Sequence, residues 1–96
     1  MEKWKVLVEL LNAEEKKEFV REFQNELKDL TEDKVISVSW YYKMLRENFA
    51  PSDNVILEVI KRSERARRWI IMKSREKCKR VEEVLSELDV SHPSKT

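Results

Sequence analysis

The sequence has no glycine, two prolines and one cysteine among its 96 residues. Without glycine, a glycine-rich phosphate-binding loop is excluded. With Cys78 as the single cysteine, there is no intrachain disulfide and no cysteine-based metal cluster, so no metal or other cofactor is expected. No apolar run approaches the ~20 residues of a membrane span, and the first residues lack a signal-peptide core. These absences predict a cytoplasmic protein.

Residues suited to catalysis are also scarce. His92 is the only histidine, and it falls in an expected tail without a fixed partner, which makes it a poor general base or metal ligand. Tyr41 and Tyr42 are not accompanied by the Arg and His residues that a nucleophilic tyrosine requires. We therefore expect a protein that is not an enzyme.

What the sequence does contain is typical of helices. Apolar and charged residues each make up 41% of the chain, a balance found in helical proteins with ion pairs on their surfaces. The chain length suits one compact unit. We predict an all-α fold: a small bundle of about four helices with a long basic C-terminal helix. Residues 1–90 would form a single helical domain, and residues 91–96 a flexible tail.

Two helices are predicted in the first third of the chain. Apolar residues from Trp4 to Leu11 recur at helical spacing. Asn12 and Glu15 then form a capping-box pattern that starts a second helix over residues 13–30. That helix would have an acidic side rich in glutamate and an apolar side formed by Phe19, Val20, Phe23, Leu27 and Leu30.

The segment from residue 31 to residue 50 is harder to interpret, because its β-branched and aromatic residues favour a strand. Since no second strand is available to pair with it, a helix is the better prediction. Ser37 or Ser39 would cap a helix over about residues 40–48. The residues expected to face the core are Val38, Tyr41, Leu45 and Phe49. Those expected to be more exposed are Trp40, Tyr42, Lys43 and Arg46.

Residues 52–88 read as one long helix, and the positive charge is concentrated there. Residues 61–80 hold ten Lys and Arg against two Glu, a net +8, whereas residues 1–60 carry −4 and residues 81–96 carry −3. A helix of this length would span about 55 Å, whereas a domain of this size is only about 30 Å across. The helix must therefore break in its weakly amphipathic middle, at residues 62–77, or project and find a partner.

An apolar seam with 3,4 spacing follows the end of this helix, through Ile71, Ser74, Cys78, Val81, Leu85 and Leu88. Such a seam suits pairing with another helix. That helix is either the same helix of a second copy, giving a homodimer, or the first helix of the same chain. Cys78 lies on the apolar side and is expected to be a small buried hydrophobe.

The segments ISVSWYYKMLRE and APSDNVILEVIK resemble the recognition helix and the following helix of Cro/repressor-type helix-turn-helix domains. The resemblance covers about residues 22–61. It implies a DNA-binding protein in which Ser39, Trp40, Tyr42, Lys43 and Arg46 lie nearest the major groove. The alternative is an ordinary helical hairpin with aromatic core residues.

The basic face of the long helix is the stronger functional signal. Lys and Arg residues along one helix face neutralise phosphates, and Trp69 among them would either stack on a base or shield the core. The alternative partner for this face is the glutamate-rich side of the second helix. The candidate nucleic-acid-binding residues are Lys43, Arg46, Lys61, Arg62, Arg65, Arg68, Arg75 and Lys79.

Two functions are therefore predicted. The first is a small nucleic-acid-binding protein, acting as a regulator or architectural accessory. Its partner would be double-stranded DNA rather than RNA, because helices fit the major groove. The second is a helical protein-protein interaction or assembly module that dimerises through its C-terminal helix. A small-molecule substrate and a membrane are not expected partners.

Overall fold

A computed structural model of the chain describes residues 2–90, with side chains to residue 88. It consists of six helices: α1 Glu2–Glu9, α2 Ala13–Glu22, α3 Gln24–Glu32, α4 Val38–Glu47, α5 Asp53–Arg62 and α6 Glu64–Val90. Within these residues no strand occurs, so the prediction of an all-α fold is confirmed. The molecule measures 59 × 27 × 17 Å, because α6 extends beyond the other helices. The predicted tail, residues 91–96 with His92, lies outside the described residues.

The number of helices differs from the prediction because two of the expected helices are interrupted. The helix expected over residues 13–30 is divided at Phe23, whose backbone leaves the helical region at φ −118° and ψ 37°. The ring of Phe23 is fully buried and packs on Phe19 and Trp69, with centroid distances of 4.7 and 5.9 Å. Burial of this ring accompanies the change of direction that separates α2 from α3.

The second interruption is at Ser63, where the helix expected over residues 52–88 becomes α5 and α6. Ser63 is extended, with φ −125° and ψ 116°, and its hydroxyl oxygen accepts the backbone N–H of Ala66 at 3.2 Å. The Arg67 guanidinium donates to the carbonyls of Ile60 and Lys61, at 2.8 and 3.3 Å, at the end of α5. Each side of the break therefore has free backbone groups satisfied by side chains.

The ends of the remaining helices follow local sequence signals. Asn12 and Glu15 form the predicted capping box, with reciprocal hydrogen bonds of 2.8 and 2.9 Å. Lys34, at φ 61°, and Asn48, at φ 51°, adopt the left-handed conformation beyond the ends of α3 and α4. Ser37, rather than Ser39, caps α4 by accepting the N–H of Trp40 at 3.1 Å.

The orientation of α4 corrects two expectations. Val38, which was expected to face the core, is 55% exposed. Trp40, which was expected to be exposed, packs against the core with its ring 6.1 Å from that of Phe49. The helix begins at Val38 and not at residue 40, and the residues of α4 that pack in or against the core are Trp40, Tyr41, Met44 and Leu45.

The core is continuous and lies where α1 packs on α5 and α6, and where α3 packs on α2, α4 and α5. Trp69 from α6 is buried within it and contacts Phe19 edge to face at 5.4 Å. The core prediction for Trp69 is therefore confirmed. Among the described helices, none combines the length and hydrophobicity that crossing a bilayer requires. The fold leaves the second half of α6 beyond the core.

Candidate interaction surface on the last helix

Helix α6 divides into a packed half and a projecting half. Its buried residues are Ala66, Trp69 and Ile70, all within its first two turns. Every residue from Cys78 to Leu88 is exposed. We call residues 78–88 the projecting segment. At 1.5 Å per residue this segment is about 16 Å long.

The packed half is held by a row of four glutamates on α2 and α3, which we call the acidic row: Glu15, Glu18, Glu22 and Glu26. Lys77 pairs with Glu15 at 2.5 Å and Lys73 pairs with Glu18 at 2.8 Å. Arg65 pairs with the other two glutamates at 3.5 and 3.1 Å. Part of the basic run is therefore matched by acids of the same chain.

Arg65 makes the most extensive of these contacts. Its guanidinium lies 4.4 Å from the centroid of the Phe23 ring, a distance suited to a cation–π interaction. It also donates to the Glu22 carbonyl at 2.9 Å, at the end of α2, where carbonyls lack intrahelical partners. Arg65 thus supports the break between α2 and α3 and does not simply point into solvent.

Lys73 and Lys77 hold the middle of α6 against α2. The hydrogen bond to Glu18 raises the pKa of Lys73, against the opposing effect of burial. Burial would raise the pKa of Glu15, but hydrogen bonds from Lys77 and from the Asn12 backbone outweigh it and lower that pKa. Lys77 Nζ also donates to the carbonyl of Leu10. The side chains of these two lysines are 16% and 30% exposed, so both are committed to contacts within the chain.

Three further predicted site residues form exposed ion pairs. Lys61 pairs with Glu58 at 3.5 Å, and Arg68 pairs with Glu64 at 3.1 Å. Arg62 pairs with Asp33 and, at 3.8 Å, with Glu58. Pairs between neighbours on an exposed helix contribute little stability, about 0.3–0.5 kcal/mol. They nevertheless offset the charge that these residues would present to a phosphate.

The other predicted site residues have no ion-pair partner within the described part of the chain. Arg75 and Lys79 lie on α6, one turn apart, and Arg80 follows them; Lys43 and Arg46 lie on α4. All are exposed. The structure therefore divides the eight predicted site residues into a paired group (Lys61, Arg62, Arg65, Arg68) and an unpaired group (Lys43, Arg46, Arg75, Lys79).

An apolar strip follows the side of the projecting segment that continues the packed face of α6. It consists of Val81, Val84 and Leu85, which are 57, 50 and 54% exposed. Next to it lies Leu10, which is 54% exposed at the end of α1. Leu10, Cys78 and Val81 line one groove of about 440 Å³.

Cys78 corrects an expectation, because it is exposed and not buried. The seam on which it lies follows the predicted 3,4 spacing, but no helix among residues 2–90 covers it beyond Lys77. Leu10 was missed as a surface residue. Its only sequence signal is its position beside Leu11, as an apolar residue outside the helical spacing that runs from Trp4 to Leu11.

The exposed side of α4 presents a second, smaller surface. Ser39, Tyr42 and Arg46 line a shallow depression there, and the Tyr42 ring, which is 55% exposed, stacks edge to face on Tyr41 at 5.4 Å. Of the residues that the helix-turn-helix resemblance places nearest DNA, Trp40 is turned towards the core. The other four are exposed.

No family model, no curated protein and no solved structure matches this chain. A function for this chain is therefore inferred from the exposed surfaces of its described residues. The apolar strip with Leu10 brings four exposed large apolar side chains together.

Proposed function

We propose that the protein is a helical assembly module that self-associates through the projecting segment of α6. The observation that carries this proposal is the apolar strip, whose three residues are about half exposed on a helix that extends beyond the core. A helix of a folded protein normally buries its apolar side. A second copy supplies the missing cover, because it brings an identical strip of matching length.

The expected strength of this association follows from the exposed apolar surface. Full burial of a Val or Leu side chain contributes about 1.5–3 kcal/mol, so a half-exposed one still has about 0.8–1.5 kcal/mol to gain. With Leu10 and the strip, two copies would bury eight such side chains, for a gross gain of about 6–12 kcal/mol. Association costs about 4–15 kcal/mol in lost freedom. The net gain is then at most about 8 kcal/mol, a dissociation constant no tighter than about micromolar, so we expect a reversible dimer rather than an obligate one.

The test compares two valines with nearly equal exposure. Val81 is 57% exposed on the strip, and Val38 is 55% exposed on α4. Val81→Glu should shift the sedimentation equilibrium of the full chain to monomer, whereas Val38→Glu should leave the dimer unchanged. Circular dichroism would confirm that both variants keep their helices. Equal effects of the two substitutions, or a wild-type protein that is monomeric at every concentration, would remove the proposal.

A second candidate function, binding of double-stranded DNA as a regulator or architectural accessory, is favoured by the unpaired cations. Arg75 and Lys79 lie one turn apart on α6, are both exposed and form a positive patch. Lys43 lies in the middle of α4 and Arg46 in its last turn, on the helix that the resemblance to a helix-turn-helix domain would place in the major groove. In an antiparallel or parallel dimer each copy would carry its own patch. The pairing of the other four predicted residues reduces the charge available to phosphates, so this function ranks second.

Salt dependence tests the second candidate. If the unpaired cations contact phosphates, affinity for a DNA duplex should fall steeply between low and moderate salt. The quadruple substitution of Lys43, Arg46, Arg75 and Lys79 by Gln should abolish it. No measurable binding by the wild-type protein at low salt, where phosphate contacts are strongest, would exclude this function.

A further inference from the structure

We infer that two copies pair through α6 in antiparallel orientation, with Arg75 of each copy facing Glu82 of the other. This inference rests on the proposed self-association and adds its geometry. It specifies the relative orientation of the two α6 helices, their register, and the charged pair that determines both.

The first observation is the division of charge along the exposed end of α6. Residues 75–80 contain Arg75, Lys77, Lys79 and Arg80 against Glu76, a net +3. Residues 81–88 contain three glutamates and no basic residue, a net −3. In a parallel pair, like charges would lie side by side along the whole contact. An antiparallel pair places the positive part of each copy beside the negative part of the other.

The second observation concerns which charged residues are available beside the seam. With Cys78 and Val81 at its centre, the positions flanking the seam are occupied by Arg75 and Glu82 on one side and by Lys77 and Val84 on the other. Lys77 is already bound to Glu15 and to the carbonyl of Leu10. Arg75 and Glu82 form no ion pair with any residue of the described chain, and both are exposed.

Because Lys77 is bound within its own chain and Arg75 is not, the antiparallel orientation of two α6 helices is favoured over the parallel one. In a parallel helix pair, the flanking position occupied by Lys77 would face Glu82 of the second copy, but that lysine is already engaged within its own chain. In an antiparallel pair, the position occupied by Arg75 faces that of Glu82. The antiparallel arrangement thus pairs the two side chains that have no ion-pair partner in the described chain. Because the dimer is two-fold symmetric, the Arg75–Glu82 pair forms twice.

The register follows from the same pair. When Arg75 faces Glu82, Cys78 lies opposite Val81 of the second copy. Arg75, Cys78 and Glu82 line a common groove of about 300 Å³ on this side of α6, which leaves both charged positions open to a second copy. The alternative antiparallel register, with Val81 opposite Leu85, would bring the two Glu82 side chains together and is disfavoured by their repulsion.

The test is a charge exchange measured by sedimentation equilibrium. Arg75→Glu replaces two attractive contacts by two repulsive ones and should weaken the dimer about tenfold, as should Glu82→Arg. The double substitution restores both contacts and should return the affinity to within about twofold of the wild type. Glu83→Arg is the matched control, since it makes the same charge change as Glu82→Arg at an exposed position on the side of the helix opposite the seam, and it should have little effect.

A distance measurement tests the geometry independently of these variants. Cys78→Ala with Ser86→Cys carries one spin label per chain, on the exposed outer side of α6. In the proposed pair the two positions are separated by about 20 Å along the helix axis, whereas in a parallel pair they lie at the same level. A long distance from pulsed electron paramagnetic resonance supports the inference, and a short one overturns it.

The outcomes separate this inference from the function on which it rests. A wild-type protein that remains monomeric removes both. A wild-type dimer that Val81→Glu dissociates but Arg75→Glu leaves intact removes only the antiparallel pairing with Arg75. A dimer weakened by both single charge substitutions and restored by their combination supports both.

Discussion

Substitution of Arg65 by Ala is the sharpest test of whether the basic residues of α6 serve the fold or an external partner. The Arg65 side chain is 56% exposed, so exposure alone would place it among the available cations. Its contacts indicate the opposite role: it lies over the Phe23 ring at 4.4 Å, donates to the Glu22 carbonyl at 2.9 Å and pairs with Glu26 at 3.1 Å. All of these are lost in Arg65→Ala.

The expected loss in the free energy of unfolding is the sum of the contributions of these contacts. A partly exposed cation–π interaction contributes about 0.5–1 kcal/mol, and the hydrogen bond to the carbonyl about 1 kcal/mol. The two ion pairs are screened by solvent and together add about 0.5 kcal/mol. The free energy of unfolding should therefore fall by about 2 kcal/mol, and the Tm by about 10 °C for a domain of this size.

Arg80→Ala is the matched control, because Arg80 is an exposed arginine of the same helix without an ion pair in the described chain. Its effect on unfolding should stay within about 0.5 kcal/mol. Both substitutions should be measured by urea unfolding in a Val81→Glu background, so that self-association does not contribute to stability. In about 1 M salt, most of the loss caused by Arg65→Ala should persist, since only the ion pairs are screened. If Arg65→Ala is as mild as the control, the contacts in the structure do not hold Arg65, and it is available to an external anion.

Three further substitutions test the fastening of α6. Because the pKa of Lys73 is raised, its bond to Glu18 contributes stability in full below the ordinary lysine pKa of 10.5, and this contribution is lost as the pH rises through the higher folded value. Lys73→Met should therefore reduce the loss of unfolding free energy at alkaline pH. An unchanged alkaline loss would contradict this role of Lys73. Because the pKa of Glu15 is lowered, its bond to Lys77 contributes stability in full above the ordinary value of 4.5, and this contribution is lost as the pH falls through the lower folded value. Glu15→Gln should therefore reduce the fall of the Tm at acid pH, measured by thermal unfolding between about pH 2 and pH 7. The Ser74 hydroxyl is buried without a hydrogen-bond partner among the described residues, so Ser74→Ala should raise the free energy of unfolding by about 1 kcal/mol in urea titrations; a loss of similar size would show that the hydroxyl is satisfied.

The parts of the fold that depend on neighbouring residues could be predicted from the sequence. The capping box of Asn12 and Glu15 is an example, because all its hydrogen bonds join residues three apart. The break at Ser63 could be placed only within a range, since it is stabilised by contacts that sequence spacing does not reveal. One of these is the bond from the Ser63 hydroxyl to Glu26, at 3.4 Å, across 37 residues of chain.

The interruption at Phe23 was not foreseen, because the residues of α2 and α3 follow an unbroken helical pattern. It depends on packing of the Phe23 ring against Trp69 and on Arg65 above it, two residues of α6. A pattern confined to residues 13–30 contains no information about that contact. Tertiary packing here overrides local helix propensity.

The candidate site could be predicted only in part. The apolar seam and the length of the terminal helix indicate from the sequence alone that the helix either breaks or projects, and Val81 and Leu85 lie exposed on its projecting end. The basic run could not be divided into paired and unpaired cations from the sequence, because the partners of Arg65, Lys73 and Lys77 lie on α2 and α3. Charge counting treats all these residues alike, whereas the fold distinguishes them.

Hydrogen–deuterium exchange at two protein concentrations tests the central claim most directly, because it locates any contact between copies. If the projecting segment is the surface of self-association, backbone amides of residues 78–88 should exchange quickly in dilute protein and several-fold more slowly in concentrated protein. Amides of the buried part of α6 around Ile70 should be unaffected by concentration. Exchange of the projecting segment at the same rate in both samples, or protection that grows elsewhere in the chain, would contradict the account.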